Sequence, residues 1–449
     1  MDTIPDKHIE YFDLKESLHR IKNSNLNNLG DVKIGNSFKS IINALVEHRN
    51  ELASAATRET GKPIKYSTLE IDRCIKIIEA GISCLAMLKF DSGILFNQSI
   101  HAQWYRRKIP VGIVVGFTPF SSPYSSLIHK FIASIIYRNR FICKPSPKAL
   151  QCSMELYRLI RENCCDEIRN ALIMLPFVNE RDTKEFLEAA DFDCLLFTGK
   201  STTAAVIKKL IGRKKAVFET GSSAVAYIGA SAEVALAVKN IVKGAFSQSG
   251  MRCVAVKNVF ISKNIKNVFL DNLNLEMQKV KCGGEFDPGT DVGPIFDLDA
   301  LNGLQSYIAL LRKNKYQVIK GGALLNENIL EPTILYDDSL KFCSVAEAFG
   351  PVLCLHDVSD LDDIPEVYYR RSSLNISIYT NSLREAHHWI AKCNHSGTIF
   401  INHGPTERVD FLPFGGLQDE NEGKEGILEL SSYLTADQIV FDSLLGEEY

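Results

Sequence analysis

From Pro110 to Glu219, short, β-branched and wholly apolar runs alternate with helical stretches, and this alternation restricts the fold more than any other feature of the chain. VGIVVGF passes through a proline-marked turn, TPFSSP, into YSSLIHKFIASIIYRN. RFICKP, CSMELYRLIREN, ALIMLPF, TKEFLEAA and DCLLFTG follow. A strand with no polar alternation has both faces covered, and a helix between two such strands is the crossover of a parallel pair. Repeated at this pitch, the pattern predicts a doubly wound α/β sheet that takes its ligand at the carboxyl ends of the strands. No G-x-G-x-x-G follows any of these strands. The phosphate-binding candidate is FTGKST, where Gly199 turns the chain and Lys200 and Ser201 open a helix whose amino end favours an anion.

AVFETGSSAVAYI (216–228) reads as a further buried strand that carries one ionisable residue, Glu219, before a Gly-Ser-Ser turn. A carboxylate there is costly unless it is paired or used. Helix AEVALAVKNIVKGAF then leads to GAFSQSGMRCVAV (244–256). Ser247, Ser249 and Gly250 are small enough for backbone amides to approach whatever Cys253 attacks, and the β-branched half reads as a buried strand. A thiol on a tight loop ahead of such a strand is placed as a nucleophile, and the neighbouring Arg252 would favour its thiolate. A second α/β unit runs from NVFISKNI to GTIFINH, and the chain closes with LPFGG and a strand-like tail, QIVFDSLL.

Ahead of the alternating region, residues 1 to about 98 read as helical. One helix stops at Gly61 and Pro63, and the next is capped by Ser67. SIHAQWYRRKI (99–109) reads as an extended piece that either pairs with another subunit or closes a surface hairpin. With 449 residues the chain exceeds one ordinary core, and without a low-complexity linker its two or three domains are expected to interweave. A net charge of −3, with basic and acidic residues interspersed, argues against nucleic-acid and membrane partners. The 12 cysteines include no C-x-x-C pair, which suggests neither a zinc site nor a disulfide framework and fits a reducing cytoplasm. The amino terminus has no apolar core of the signal-peptide kind, and no apolar run reaches membrane length.

With Glu219 and Cys253 both in view, the chain resembles the NAD(P)-dependent aldehyde dehydrogenases over nearly its whole length. TPFSSP is similar to the family's TPFNFP, CKPSP to KPSE, FTGKS to FTGS, FETGSS to LELGG and SGMRCVAV to GQRCTAV. EPTIL, AEAFGPVL and PFGG follow in order, and the interval from Glu219 to Cys253 matches the family's. Relative to typical members the amino-terminal strands look abbreviated. The resemblance implies a Rossmann-type cofactor domain (1–98 and 110–221), an α/β catalytic domain (222–420), and a small β oligomerisation arm and tail (99–109 and 434–449) of a homodimer or homotetramer.

It also implies roles. Cys253 would attack the aldehyde and Glu219 would activate the water that hydrolyses the thioester. Lys144 would hold the adenosine ribose, with Lys148 beside it. Gly199, Lys200 and Ser201 would lie by the pyrophosphate. Glu347 would hold the nicotinamide ribose, with Phe349 packed near the ring.

Three departures stand out. Ser121 replaces the asparagine whose amide helps bind the oxyanion. Pro147, flanked by Lys148, replaces the acidic residue that often chelates the ribose, so two cations and no carboxylate would tolerate a 2′-phosphate; NADP is slightly favoured and NAD stays open. The closing PFGGxKxSGxGRE pattern has become PFGGLQDENEGKE.

On the substrate side, Ser122, His129 and Ser247 are polar where members acting on apolar aldehydes are often aromatic. Together with Arg252 and Phe414 they resemble members that handle small anionic aldehydes, such as phosphonoacetaldehyde or glyceraldehyde-3-phosphate. Two other readings stay open: a CoA-acylating enzyme of the same fold, which would waste Glu219, and a weak or silent relative with a structural or regulatory role.

Overall fold

A computed structural model describes residues 14–88, 94–98, 103–340, 348–371, 374–416 and 422–442. The chain begins with helices α1 (Leu14–Asn23), α2 (Asp31–Glu47), α3 (Arg49–Thr60) and α4 (Ile64–Leu88). Gly61, at φ 73°, ends α3 in the left-handed cap that glycine adopts without strain. Pro63 then starts α4 earlier than expected: its carbonyl accepts the amides of Tyr66 and Ser67. Ser67 is therefore no cap but a buried residue inside the helix, accepting a hydrogen bond from Thr57 Oγ1 at 2.8 Å.

The helical reading to residue 98 is corrected too. Strand β1 (Ile94–Gln98) lies antiparallel to β2 (Gln103–Pro110), and backbone pairing there replaces the packing face a helix would need.

The alternating region folds as read: β3 (Ile113–Thr118), α5 (Pro123–Ile136), β4 (Arg140–Pro145), α6 (Leu150–Glu162), α7 (Asp166–Asn170), β5 (Leu172–Met174), α8 (Glu180–Ala189), β6 (Cys194–Thr198), α9 (Ser201–Ile211) and β7 (Lys215–Glu219). Its five strands run parallel in the order β5-β4-β3-β6-β7. Chain direction across the sheet reverses between β3 and β6, which opens a crevice at their carboxyl ends.

The strand expected over 216–228 is two strands in two sheets. The Thr220–Ser223 turn separates β7 from β8 (Ala224–Ile228), which sits in a seven-stranded sheet. Helix α10 (Val234–Phe246), β9 (Val256–Ser262), α11 (Lys266–Met277), α12 (Leu298–Lys313), β10 (Gln317–Lys320), β11 (Thr333–Asp337), β12 (Val352–Val358), α13 (Glu366–Arg371), β13 (Asn375–Tyr379), α14 (Leu383–Lys392) and β14 (Thr398–Ile401) complete this unit. Its strand order is β10-β11-β12-β9-β8-β13-β14. Glu219 thus ends the last strand of one sheet where the chain crosses to the other.

Helix α15 (Ser431–Leu434) leads into β15 (Thr435–Asp442), which pairs along its whole length with β2 to close a three-stranded sheet, β1-β2-β15. Trp104 and Phe441 pack across it with tilted rings, 4.6 Å between centroids, and stay about half exposed. Among the described residues no helix is long and apolar enough to cross a membrane.

The element that aims most of the site is α5. Its amino terminus is fixed from outside by Glu70 of α4, whose Oε1 accepts the Tyr124 and Ser125 amides at 3.0 and 2.9 Å while Oε2 pairs with Lys62. Both members of this pair are buried, so neither stands without the other.

Candidate active site

The carboxyl ends of β3, β4, β6 and β7 open onto a cavity of about 1600 Å³ that continues under the loop carrying Cys253. That loop is a tight device. Gln248 and Ser249 both lie at φ 56°, which costs non-glycine residues about 1 to 3 kcal/mol and holds only where the surroundings impose it. The restraints are present. Gln248 Nε2 donates to the Ser121 carbonyl at 2.8 Å, the Ser249 amide donates to the Asp291 carbonyl at 3.0 Å, and buried Lys257 Nζ donates to the Gly250 and Gly350 carbonyls. Gly250, at φ 64°, has no room for a side chain: a Cβ would sit 2.3 Å from the Gly350 oxygen.

Held this way, the half-buried Cys253 directs its thiol at Glu219, with Sγ 3.8 Å from Oε1. Glu219 is 5% exposed. Burial pushes its carboxyl up to about 8, the negative charge of Glu425 adds to the rise, and Arg408 and Lys130 oppose it.

Behind Glu219 stands a cluster of which only Glu425, the last residue of PFGGLQDENEGKE, fell within a sequence motif. Thr198 Oγ1 lies 3.4 Å from Glu219 Oε2 and 3.2 Å from Glu425 Oε1. Lys130 Nζ donates to Thr198 Oγ1 at 2.7 Å and to Glu425 Oε1 at 2.6 Å, and Arg408 Nη2 donates to Glu425 Oε2 at 3.3 Å. Its cations hold Glu425 well below the usual carboxylate range against its own burial. Glu425 arrives on the segment whose pattern had departed from the family's: backbone bridges from Glu422 to Phe218 and from Glu425 to Phe414 stitch it between the sheets.

On the substrate side, Ser121, Ser122 and His129 line the cavity. His129 is 2% exposed, neither ring nitrogen has a partner, and burial pulls it down to about 3, so it is a neutral imidazole at ordinary pH. Three expected contacts lie off the cavity wall. Ser247 is buried and gives its hydroxyl back to the Lys243 carbonyl. Phe414 packs against Val254 and Leu374. Arg252 is half-buried, with Cys253, Arg73, Tyr66 and Glu407 acting on its charge. The guanidiniums on the wall are Arg73 and Arg408, both beside Asp410, at 3.4 and 3.5 Å.

On the cofactor side, Lys144, Lys148, Gly199, Lys200, Ser201 and Phe349 all line the cavity. Glu347 lies outside the described residues. The fit to a dinucleotide rests on three features. Val206, Ile207 and Leu210 of α9, with Val178, offer apolar surface to the cavity. The amino end of α9 opens on it. Lys144 is buried where β4 ends, with its pKa lowered by that burial. The cationic site without a carboxylate is corrected: Lys148 Nζ pairs with Asp297, which also caps α12 and is held low by the contact.

A family model described as "Aldehyde dehydrogenase family" matches residues 31–439. The lactaldehyde dehydrogenase of Methanococcus aeolicus is 27% identical over 416 residues, covering 90% of this chain and 86% of the relative. The 3-sulfolactaldehyde dehydrogenase of Priestia aryabhattai is 25% identical over 401 residues, covering 88% and 83%. Among solved structures, glyceraldehyde-3-phosphate dehydrogenase GapN from Methanocaldococcus jannaschii, complexed with NADP, superposes with a TM-score of 0.86 at 23% identity, covering 96% of this chain and 94% of that one.

Proposed function

The chain belongs to the aldehyde dehydrogenase family, and on that premise we propose that it oxidises a short, polar or anionic aldehyde to its carboxylic acid with NADP or NAD. The observation that carries this reading is the Cys253 thiol facing the Glu219 carboxylate at 3.8 Å within one large cavity.

In this mechanism the Cys253 thiol gives its proton to water in the cavity as its sulfur bonds to the aldehyde carbon, and the carbonyl oxygen takes the charge beside Ser121 and the loop amides. A nicotinamide held in this cavity would supply the hydride acceptor. Loss of hydride leaves an acyl thioester on Cys253. Glu219 then takes a proton from water as the water oxygen adds to the acyl carbon, and the C–S bond breaks to return the electrons to sulfur. Lys144, Gly199, Lys200 and Ser201 are the residues that would hold the cofactor, with Phe349 near the ring. A base within reach of the thiol supports hydrolysis over transfer to CoA, and over a silent scaffold.

The relatives' named substrates share a hydroxyl beside the aldehyde carbon, and some carry a sulfonate or phosphate. The unpartnered nitrogens of His129 suit that hydroxyl, and Arg73 suits the anion. Self-association as a homodimer or homotetramer is supported by the half-exposed Trp104, Ile439 and Phe441 on the three-stranded sheet. Free thiols at all the described cysteines suit the cytoplasm.

The test is a panel of 2-hydroxyaldehydes, with and without an anionic tail, against propanal, each with NAD and NADP, following reduced nicotinamide by absorbance. The expected order of kcat/KM is anionic hydroxyaldehyde, then neutral hydroxyaldehyde, then propanal. No oxidation of any member by the folded protein would overturn the reading.

A further inference from the structure

The two carboxylates behind Cys253 depend on a charge balance in which Arg408 is a separate contributor. Among the described residues, the groups facing Glu219 and Glu425 are Cys253, Thr198 from β6, Lys130 and His129 from α5, and Arg408 from the loop after β14. Asp410 and, beyond it, Arg73 from α4 complete the cluster. His129 is neutral. Lys130, Arg408 and Arg73 therefore stand against Glu219, Glu425 and Asp410, and the half-buried Arg252 beside Arg73 is offset by Glu407. The cluster is electrically neutral only when Glu219 is ionised. Both glutamates are 5% exposed, so water does little to screen an imbalance. Without Arg408, two cations would face three carboxylates, and the least costly correction is a proton held by the Glu219–Glu425 pair, which titrates as a unit.

The geometry of Arg408 fits this work. Its guanidinium lies 4.0 Å from the centre of the Phe414 ring, which fixes its plane, and it reaches Glu425 on the oxygen that Lys130 does not use. Phe414 thus touches the reaction by seating Arg408.

We propose that Arg408 is a positioning residue for thioester hydrolysis: paired with Glu425 and seated on Phe414, it keeps Glu425 ionised and so leaves the Glu219 carboxylate free to accept the proton of the attacking water. The inference rests on the hydrolytic reading above. The proton moves from water to Glu219 as the C–O bond forms and the C–S bond breaks, and Arg408 exchanges none.

The test compares Arg408→Gln and Arg408→Lys in the full chain, using one anionic and one uncharged aldehyde. Rapid mixing gives the burst of reduced nicotinamide, and steady state gives the pH profile of kcat. For Arg408→Gln the burst persists, the acid limb of kcat moves up by about one pH unit, and kcat near neutrality falls about tenfold, with both aldehydes alike. Arg408→Lys restores most of it, and adding Glu425→Gln to Arg408→Gln, which removes a carboxylate along with the cation, brings the limb back down. Should Arg408→Gln fail to fold, Arg408→Met takes its place as the uncharged variant, with the same upward shift of the limb expected. An unmoved limb, or a loss confined to KM for the anionic aldehyde, would overturn it and make Arg408 a substrate contact. If the folded wild-type chain reduces no nicotinamide with any aldehyde, the aldehyde-oxidising reading itself fails and this inference falls with it.

Discussion

Replacing Glu219 by glutamine separates the two halves of the reaction. The side chain keeps its size at a buried strand end and loses its capacity to take a proton, while Cys253 stays 3.8 Å away on a loop braced by Gln248, Ser249 and Lys257. A positioned general base contributes about 10² to 10⁴ in rate, so steady-state kcat is expected to fall by that factor. The first hydride transfer draws on Cys253 and the cofactor, so rapid mixing of the variant with aldehyde should show a burst near one reduced nicotinamide per subunit, followed by a stall. In the wild type the acid limb of kcat should lie unusually high for a carboxylate. Burial and Glu425 push Glu219 up to about 8, the base is competent only above that value, and kcat should drop as the pH falls through it. In Glu219→Gln that limb should vanish. A variant that loses the burst together with turnover, or a wild-type limb near the ordinary glutamate range, would refute this division of labour.

Other residues give separable expectations. His129→Phe removes two unpartnered nitrogens from the wall and should cost about tenfold in kcat/KM for a 2-hydroxyaldehyde while sparing propanal; equal losses on both would exclude a hydroxyl contact. Asp297→Asn frees the Lys148 ammonium and should raise the ratio of kcat/KM for NADP over NAD by up to about fivefold, a ratio that stays fixed if Lys148 stands away from the 2′-phosphate. Glu70→Ala strands the buried Lys62 and uncaps α5, with an expected loss of about 3 to 5 kcal/mol in chemical denaturation; a loss below about 1 kcal/mol would show that water replaces the carboxylate.

What could be read from the chain alone was whatever repeats locally. Wholly apolar strands alternating with helices define the five-stranded sheet, and a thiol ahead of such a strand stood out because small residues surround it. Contacts between distant segments were not legible. Glu425 kept the last position of an otherwise altered motif, but its approach to Glu219 depends on backbone bridges, Glu422 to Phe218 and Glu425 to Phe414, that no side-chain pattern records. Lys130 lay inside a helix read only for its apolar face, and Arg408 lay in a loop with no periodicity at all. Arg252 was read from its adjacency to Cys253 alone; its partial burial, with Arg73, Tyr66 and Glu407 also around it, depends on segments distant in sequence. The same limit made one strand of two across Thr220–Ser223, since a turn between sheets and a pause within a strand look alike in sequence.

The central claim is that Cys253 carries the substrate covalently until Glu219 releases it. Intact-mass analysis of Glu219→Gln, quenched during a single turnover with aldehyde and cofactor, tests it most directly. The account predicts a mass gain equal to the acyl group, mapped to Cys253 and absent from Cys253→Ser. No mass gain while reduced nicotinamide accumulates, or a gain on another of the cysteines, would contradict it.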